Sequence, residues 1–293
     1  MIKNYLSLIK FSHTIFAMPF AVIGFFLGTS PPAPLQEERG VNSQIHWELF
    51  MMVILCMVFA RSAAMAFNRW TDNKYDKENA RTKIREIPIG IISEKNALIF
   101  VIINCILFIT TTFFLNSICF YLSPVALLVV LGYSYTKRFT PLCHLILGLG
   151  LSLAPIGAFL AVTSEFKLLP LLYSFVVLFW VSGFDIIYAL QDEEFDRAQN
   201  LRSIPVLMGK KNALLFSRLL HVISASIVLF AGSYAGFNLW YWIGEGIFIA
   251  LLMYQHTLVK ENDLSKVNLA FFTTNGIAGV VFAIFFLLEL FLN

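Results

Sequence analysis

This chain has little charge. Lysine, arginine, aspartate and glutamate make up only 13% of its 293 residues, about half the share of an ordinary globular domain. That shortage excludes a soluble fold with a solvated surface on every side. Cysteine is scarce as well. Cys56, Cys105, Cys119 and Cys143 show no CxxC spacing, which argues against a disulfide framework or a zinc site and for packed or lipid-facing thiols. The net charge of +3 is too small to suggest nucleic acid as a partner. No A-x-A-like cleavage site follows the first apolar run. With His13 and Pro19 inside that run, it reads as a retained span, not a signal peptide.

What is present is apolar. Hydrophobic residues make up 58% of the chain, phenylalanine occurs 30 times, and the mean hydropathy is +0.76. A membrane-crossing helix needs about 20 mostly apolar residues. Nine such segments are predicted, at 11–29, 46–67, 97–115, 118–136, 141–163, 168–190, 212–235, 238–258 and 268–291. The expected fold is therefore an all-α, polytopic membrane bundle. The division between the third and fourth spans rests only on Asn116 and Ser117.

Basic residues then orient the bundle. With the N-terminus inside, the segments 1–10, 68–96, 137–140, 191–211 and 259–267 hold 17 lysines and arginines, whereas the outer segments hold two, Arg39 and Lys167. That asymmetry predicts an inward N-terminus in the cytoplasmic membrane of a bacterium. The Pro-rich loop Ser30–Pro34 then falls outside and serves as a connector.

Two acid pairs stand at matching places, each where a span meets an inner loop. Asn68, Asp72 and Asp76 form the first group, and Tyr188, Asp192 and Asp196 the second. Residues four apart on a helix share a face, where like charges repel by roughly 0.2–0.5 kcal/mol. The loops agree beyond their acids. Arg81, Ile87-Pro88, Gly90 and Asn96-Ala97-Leu98 follow the first pair; Arg202, Ile204-Pro205, Gly209 and Asn212-Ala213-Leu214 follow the second. The chain thus reads as a single membrane domain with two parallel four-helix pseudo-repeats, about 1–136 and 137–258, and a ninth helix at 268–291. Repeats of this kind tend to build one site at their interface.

The residue types suit diphosphate chemistry. Magnesium takes six oxygen ligands, usually one or two of them carboxylates, with phosphates and waters completing the shell. Asp72, Asp76, Asp192 and Asp196, with the carbonyl of Asn68, are the candidate Mg²⁺ ligands and catalytic residues. Arg81, Lys83, Arg85, Lys137, Arg138 and Arg202 are candidates for neutralising phosphate, arginine being suited to bidentate contact. Asp185 and Arg61 lie within spans, each seven residues before a motif. Ionisable groups at such depth mark functional sites, so both are candidate cavity residues; the alternative is that they pair with each other. His144, His221 and His256 lack metal-ligand spacing and read as structural. Lys74, Lys77, Glu78, Glu86 and Glu94 read as surface charges.

At these residues the chain resembles the UbiA superfamily of intramembrane aromatic prenyltransferases. Asn68, Asp72, Asp76, Arg81-Thr82 and Arg85 match its first signature, and Tyr188, Asp192, Asp196 and Arg202-Ser203 its second. Phe11-Ser12-His13-Thr14 through Pro19-Phe20, and Tyr133 through Thr140, are also similar. Two departures stand out: Asn68 is followed by Arg69, and Arg85-Glu86-Ile87-Pro88 replaces the usual Arg-Pro-Leu. The run from Gly183 to Asp192 is most like the 4-hydroxybenzoate branch and its relatives in the futalosine route to menaquinone.

The resemblance implies a polyprenyl diphosphate donor with its head on Mg²⁺ and its tail among helices or membrane lipid. It implies an acceptor that is a hydroxylated aromatic acid, either 4-hydroxybenzoate or a dihydroxynaphthoate, in ubiquinone or menaquinone synthesis. Tyr75, Tyr188 and Phe195 are then available to face an allylic cation, and an aspartate or the leaving diphosphate to take the ring proton. Another acceptor within the family is a second option. From a different class, a membrane transporter with an acidic inner site also fits repeated halves and the intramembrane Asp185. A CDP-alcohol phosphotransferase does not, because its glycine-rich D-x-x-D-G-x-x-A-R pattern is missing.

Overall fold

The computed structural model describes residues 2–9, 18–29 and 46–292. His13, the Phe11–Thr14 stretch, the Ser30–Pro34 connector and Arg39 lie outside the described residues. The first span is therefore described only over Met18–Thr29.

Among the described residues the fold is all-helical, with no strand beyond an isolated bridge between Lys260 and Asp263. The helices are α1 (Ile2–Leu8), α2 (Met18–Thr29), α3 (Trp47–Thr71), α4 (Asn73–Glu78), α5 (Glu94–Leu115), α6 (Ser117–Thr136), α7 (Cys143–Thr163), α8 (Leu168–Ala189), α9 (Glu193–Ala198), α10 (Ile204–Ala235), α11 (Leu239–Leu258) and α12 (Asn275–Leu292). A π-helical turn, Leu269–Thr274, leads into α12. Seven helices among the described residues are long and apolar enough to cross a bilayer, and α11 is not one of them. Its 20 residues include Gly244, Glu245, Gly246, Gln255 and His256, which dilute the apolar run.

Local chemistry sets the helix ends. The Ser93 hydroxyl accepts from the Asn96 N–H at 3.2 Å and starts α5. Asn116 makes the tight corner between α5 and α6. Its side-chain carbonyl accepts from Cys119 N–H at 2.9 Å, while its amide donates to Leu160 and Ala161 carbonyls of α7 at 2.8 and 3.1 Å. Helix α10 is kinked at Gly209, whose φ of 74° breaks the helical run. Its apolar part therefore begins beyond the kink, in line with the predicted span at 212–235.

Burial alone does not hold such a bundle together, because lipid tails are as apolar as leucine; close packing and interhelical hydrogen bonds do. The central layer is aromatic: Trp180, Tyr173, Tyr241, Phe20, Phe248, Phe282 and Phe286 are all fully buried. Ser217 Oγ donates to the Gly183 carbonyl at 2.7 Å, Ser224 Oγ to the Val176 carbonyl at 2.9 Å, and Trp180 Nε1 to Asn275 Oδ1 at 2.9 Å. Gly148 lets α7 lie against α8; a Cβ there would stand 2.3 Å from Ser182 Oγ and 2.4 Å from the Leu178 carbonyl oxygen. That close approach fixes what α7 and α8 present together near their inner ends.

Candidate active site

Each acid pair sits where a long helix breaks. Helix α3 stops at Asp72 (φ −91°, ψ 2°) and α4 restarts at once. Helix α8 passes through a short 3-10 turn, Leu190–Asp192, before α9, with Asp192 at φ −101°, ψ 0°. The two leading acids thus share one backbone conformation, in the sparsely populated bridge region. Helical spacing survives the first break, since Asp72 N–H donates to the Asn68 carbonyl at 2.9 Å and Asp76 N–H to the Asp72 carbonyl at 2.8 Å. Asn68, Asp72 and Asp76 accordingly stay on one side, with Asn68 Nδ2 donating to Asp72 Oδ2 at 3.1 Å.

Both acid pairs line one cavity of about 750 Å³. Around it, every acid faces a base. Asp192 is gripped by Arg81 from the first motif's loop, through Nε at 3.2 Å and Nη2 at 2.5 Å, while Arg81 Nη1 donates to the Tyr188 hydroxyl at 2.7 Å. Arg85 Nη1 donates to both oxygens of Asp76 at 2.9 Å. Lys137 Nζ stands 2.7 Å from Asp196 Oδ2, and Arg138 Nη2 3.6 Å from Asp72 Oδ1. Arg138 also donates to the Thr71 carbonyl at 2.7 Å and lies over the Tyr75 ring.

These pairings tune the groups outside the spans. Burial pushes the Asp72 carboxyl up to about 6, and neighbouring Asp76 adds to the rise. For Arg81 burial opposes the charge, but Asp192 and Tyr188 outweigh it and the pKa rises. Lys137 behaves likewise, with Asp196 overriding its burial.

Deeper in the cavity lie Arg61, Tyr133, His144 and Asp185. Asp185 does not pair with Arg61. Its Oδ2 is 2.7 Å from His144 Nδ1. Arg61 has no carboxylate partner among the described residues, and its Nε is buried without a hydrogen bond. A second cavity, about 400 Å³ and almost wholly apolar, adjoins the first. Arg61, Met65, Tyr133, Leu147 and Leu151 line both. The apolar cavity runs between α3, α5, α6 and α7 to Leu115, Leu160 and Phe166.

Most of the expected site residues meet at this cavity, but two of the expected bases do not line it. Arg202 is turned to the loop after α6: its N–H donates to the Lys137 carbonyl at 2.7 Å and its Nη1 to the Phe139 carbonyl at 2.9 Å. Arg202 therefore braces the segment that carries Lys137 and Arg138. Lys83 is exposed and also outside the lining. Glu86 is not a free surface charge, since it pairs with Arg69, itself 3% exposed, and accepts from Ser7. Glu94 accepts from Asn73 at 2.6 Å, and Glu78 from Gln199 at 2.7 Å. His144, read from sequence as structural, is a cavity residue. Asn79 was missed altogether; its amide donates to Asp192 at 3.4 Å, and its position seven after Asp72 is the signal that pointed there.

Chemically, four carboxylates with an amide carbonyl are hard oxygen donors of the kind magnesium favours, and the surrounding guanidinium groups match phosphate oxygens. The donor set fits a magnesium–diphosphate ligand. Among the described residues no group of three His, Cys, Asp and Glu side chains already stands in metal-holding range; the acids hold cations of the chain instead.

Known proteins resemble this chain over most of its length. The model of the UbiA prenyltransferase family matches residues 16–287. A 4-hydroxybenzoate octaprenyltransferase of Aliivibrio fischeri (strain MJ11) is 28% identical over 240 residues, 80% of this chain and 82% of that protein. One from Francisella tularensis subsp. mediasiatica is 29% identical over 228 residues, 78% of this chain and 80% of that protein. Among solved structures, the apo form of a UbiA homolog from Aeropyrum pernix K1 superposes with a TM-score of 0.83 at 26% identity, covering 94% of this chain and 98% of its own. A UbiA homolog from Archaeoglobus fulgidus bound to GPP and Mg²⁺ shares the fold, with a TM-score of 0.75 at 19% identity, covering 98% of this chain and 99% of its own.

Proposed function

Because the chain belongs to the UbiA prenyltransferase family and is a prenyltransferase, we propose that it moves a polyprenyl group from its diphosphate onto the ring of a hydroxylated aromatic acid. The acceptor is 4-hydroxybenzoate or a dihydroxynaphthoate, and the product serves ubiquinone or menaquinone synthesis; the likeness to bacterial 4-hydroxybenzoate octaprenyltransferases favours 4-hydroxybenzoate. One observation carries the reading: two acid pairs 120 residues apart and six lysine and arginine side chains line a single cavity whose floor joins an apolar one. The family assignment removes the transporter alternative.

In this reading Asp72, Asp76, Asp192, Asp196 and Asn68 hold Mg²⁺, as the homolog bound to GPP and Mg²⁺ suggests. The bound metal supplies positive charge where the diphosphate leaves. The chain's own groups do the rest. Arg81, Arg85, Lys137 and Arg138 pass from carboxylate to phosphate oxygens and stabilise charge as it develops. Arg202 holds Lys137 and Arg138 in place through the backbone carbonyls of Lys137 and Phe139. The Tyr188 ring offers its face to the allylic cation. Arg61, without a carboxylate partner among the described residues and lining both cavities, takes the carboxylate of the acceptor. The isoprenoid tail occupies the apolar cavity and water is excluded from it.

We also assign nine spans, counting the segment that ends in α2 and the weakly apolar α11. The pseudo-repeats 1–136 and 137–258 within the single domain 1–293 draw support from the shared backbone bend at Asp72 and Asp192. Lysine and arginine placement orients the site toward the cytoplasm of a bacterium, across its inner membrane. The test is direct. Purified protein is incubated with Mg²⁺, a polyprenyl diphosphate and a panel of aromatic acids, and products are identified by mass. Asp72→Ala and Asp192→Ala are expected to abolish product without unfolding the protein. Normal turnover by the double variant would refute the reading.

A further inference from the structure

Below the aspartates, the cavity floor carries a titratable pair that the diphosphate reading leaves unused. His144 is 3% exposed, and its Nδ1 lies 2.7 Å from Asp185 Oδ2. Its other ring nitrogen, Nε2, is buried with no hydrogen-bond partner among the described residues, although His144 lines the cavity. With a carboxylate at Nδ1, the neutral form of the ring carries its proton on Nδ1 and its lone pair on Nε2. The backbone that carries the imidazole is fixed as well, with Ser182 Oγ donating to the His144 carbonyl at 3.1 Å and Gly148 admitting α8 one turn away. An imidazole serving only to fill the core is expected to bond through both nitrogens. This one keeps one nitrogen without a described partner, in a cavity that Arg61 and Tyr133 also line. Among the aspartates above, Asp192 is held by Arg81, Asp196 by Lys137 and Asp76 by Arg85, which makes these three poorer proton acceptors.

We propose that His144, oriented by Asp185, is the catalytic base that removes the ring proton of the aromatic acceptor. The inference rests on the prenyl-transfer reading above. In the reaction the allylic C–O bond breaks and its electron pair leaves on the diphosphate. A ring carbon supplies π electrons to the new C–C bond. The C–H bond at that carbon then breaks, its electrons restore the aromatic ring, and the proton goes to His144 Nε2. No oxidant or further reactant is required. The imidazolium so formed is neutralised by Asp185.

Full-length His144→Gln and Asp185→Asn are compared with the wild type, using Mg²⁺, a polyprenyl diphosphate and the acceptor that the wild type alkylates. The acceptor is supplied either with hydrogen or with deuterium at the alkylated carbon. Loss of a general base lowers turnover by about 10²–10⁴-fold, so H144Q is expected to fall in that range with an unchanged KM for the diphosphate. Its rate becomes sensitive to deuterium, whereas the wild-type rate is not. D185N is expected to lose about 10–100-fold and to show the same isotope signature, which decides the matter if H144Q fails to fold. Wild-type turnover by H144Q overturns the proposal. So does a slow, folded variant without an isotope effect, which would make His144 a packing residue. In either case an inactive Asp192→Ala leaves the prenyl-transfer reading standing; a wild-type protein that makes no product refutes that reading instead.

Discussion

Arg81 holds Asp192 through two guanidinium nitrogens, at 3.2 and 2.5 Å, across 111 residues of sequence. This contact ties the first motif's loop to the second motif's acid. Arg81→Lys keeps the charge but loses the fork. Charge-assisted contacts of this type contribute about 1.5–3 kcal/mol, so kcat/KM for the prenyl diphosphate is expected to drop about tenfold or more, with the acceptor KM little changed. Steady-state kinetics with each substrate varied in turn checks this.

Asp72 makes stability depend on pH in an unusual direction. Its folded pKa of about 6 lies above the ordinary 3.8, so the folded state binds this proton more tightly than the unfolded one. The favourable contribution of the protonated acid is complete below 3.8 and is lost as pH rises through about 6. Asp72→Asn removes that loss. With the side chain 31% exposed, a gain on the order of 1 kcal/mol is expected. Thermal unfolding should show D72N more stable than the wild type at about pH 7, with the gap narrowing below about 6 and closing only as pH falls to 3.8.

Glu245 sits in α11 at 1% exposure, and neither of its carboxylate oxygens has a hydrogen-bond partner. It lines neither cavity. A buried polar group left unsatisfied costs about 1–3 kcal/mol. Glu245→Met is therefore expected to raise the Tm in detergent while leaving turnover at the wild-type value.

Arg61 is expected to act on the acceptor alone. Arg61→Ala should raise the KM for the aromatic acid by about 10–100-fold, the equivalent of one charge-assisted hydrogen bond. The KM for the prenyl diphosphate should stay unchanged. Isothermal titration with the free acid, with and without the substitution, provides a second measure.

How much of this was readable beforehand follows from the range of each interaction. The helices were legible where apolar runs are long, as in α5 and α8, whose predicted spans at 97–115 and 168–190 stand beside Glu94–Leu115 and Leu168–Ala189. The corner at Asn116, marked by only two polar residues, is real because its side chain satisfies one helix start and two carbonyls of another. The acid groups were legible because like charges four apart at a span's end have no local benefit. The His144–Asp185 contact was not, since it joins two helices 41 residues apart and leaves no periodic trace. The backbone partners of Arg202 were hidden for a related reason. Its charge suggested a ligand, whereas its partners are backbone carbonyls, which sequence does not advertise.

The five side chains shared by the two cavities, Arg61, Met65, Tyr133, Leu147 and Leu151, act as a common doorway. A donor threaded from one chamber to the other presents its first isoprene unit there whatever follows behind. Selection of chain length and reactivity of the terminal carbon are thereby uncoupled. Shortened donors should bind more weakly yet turn over at the same maximal speed once saturating.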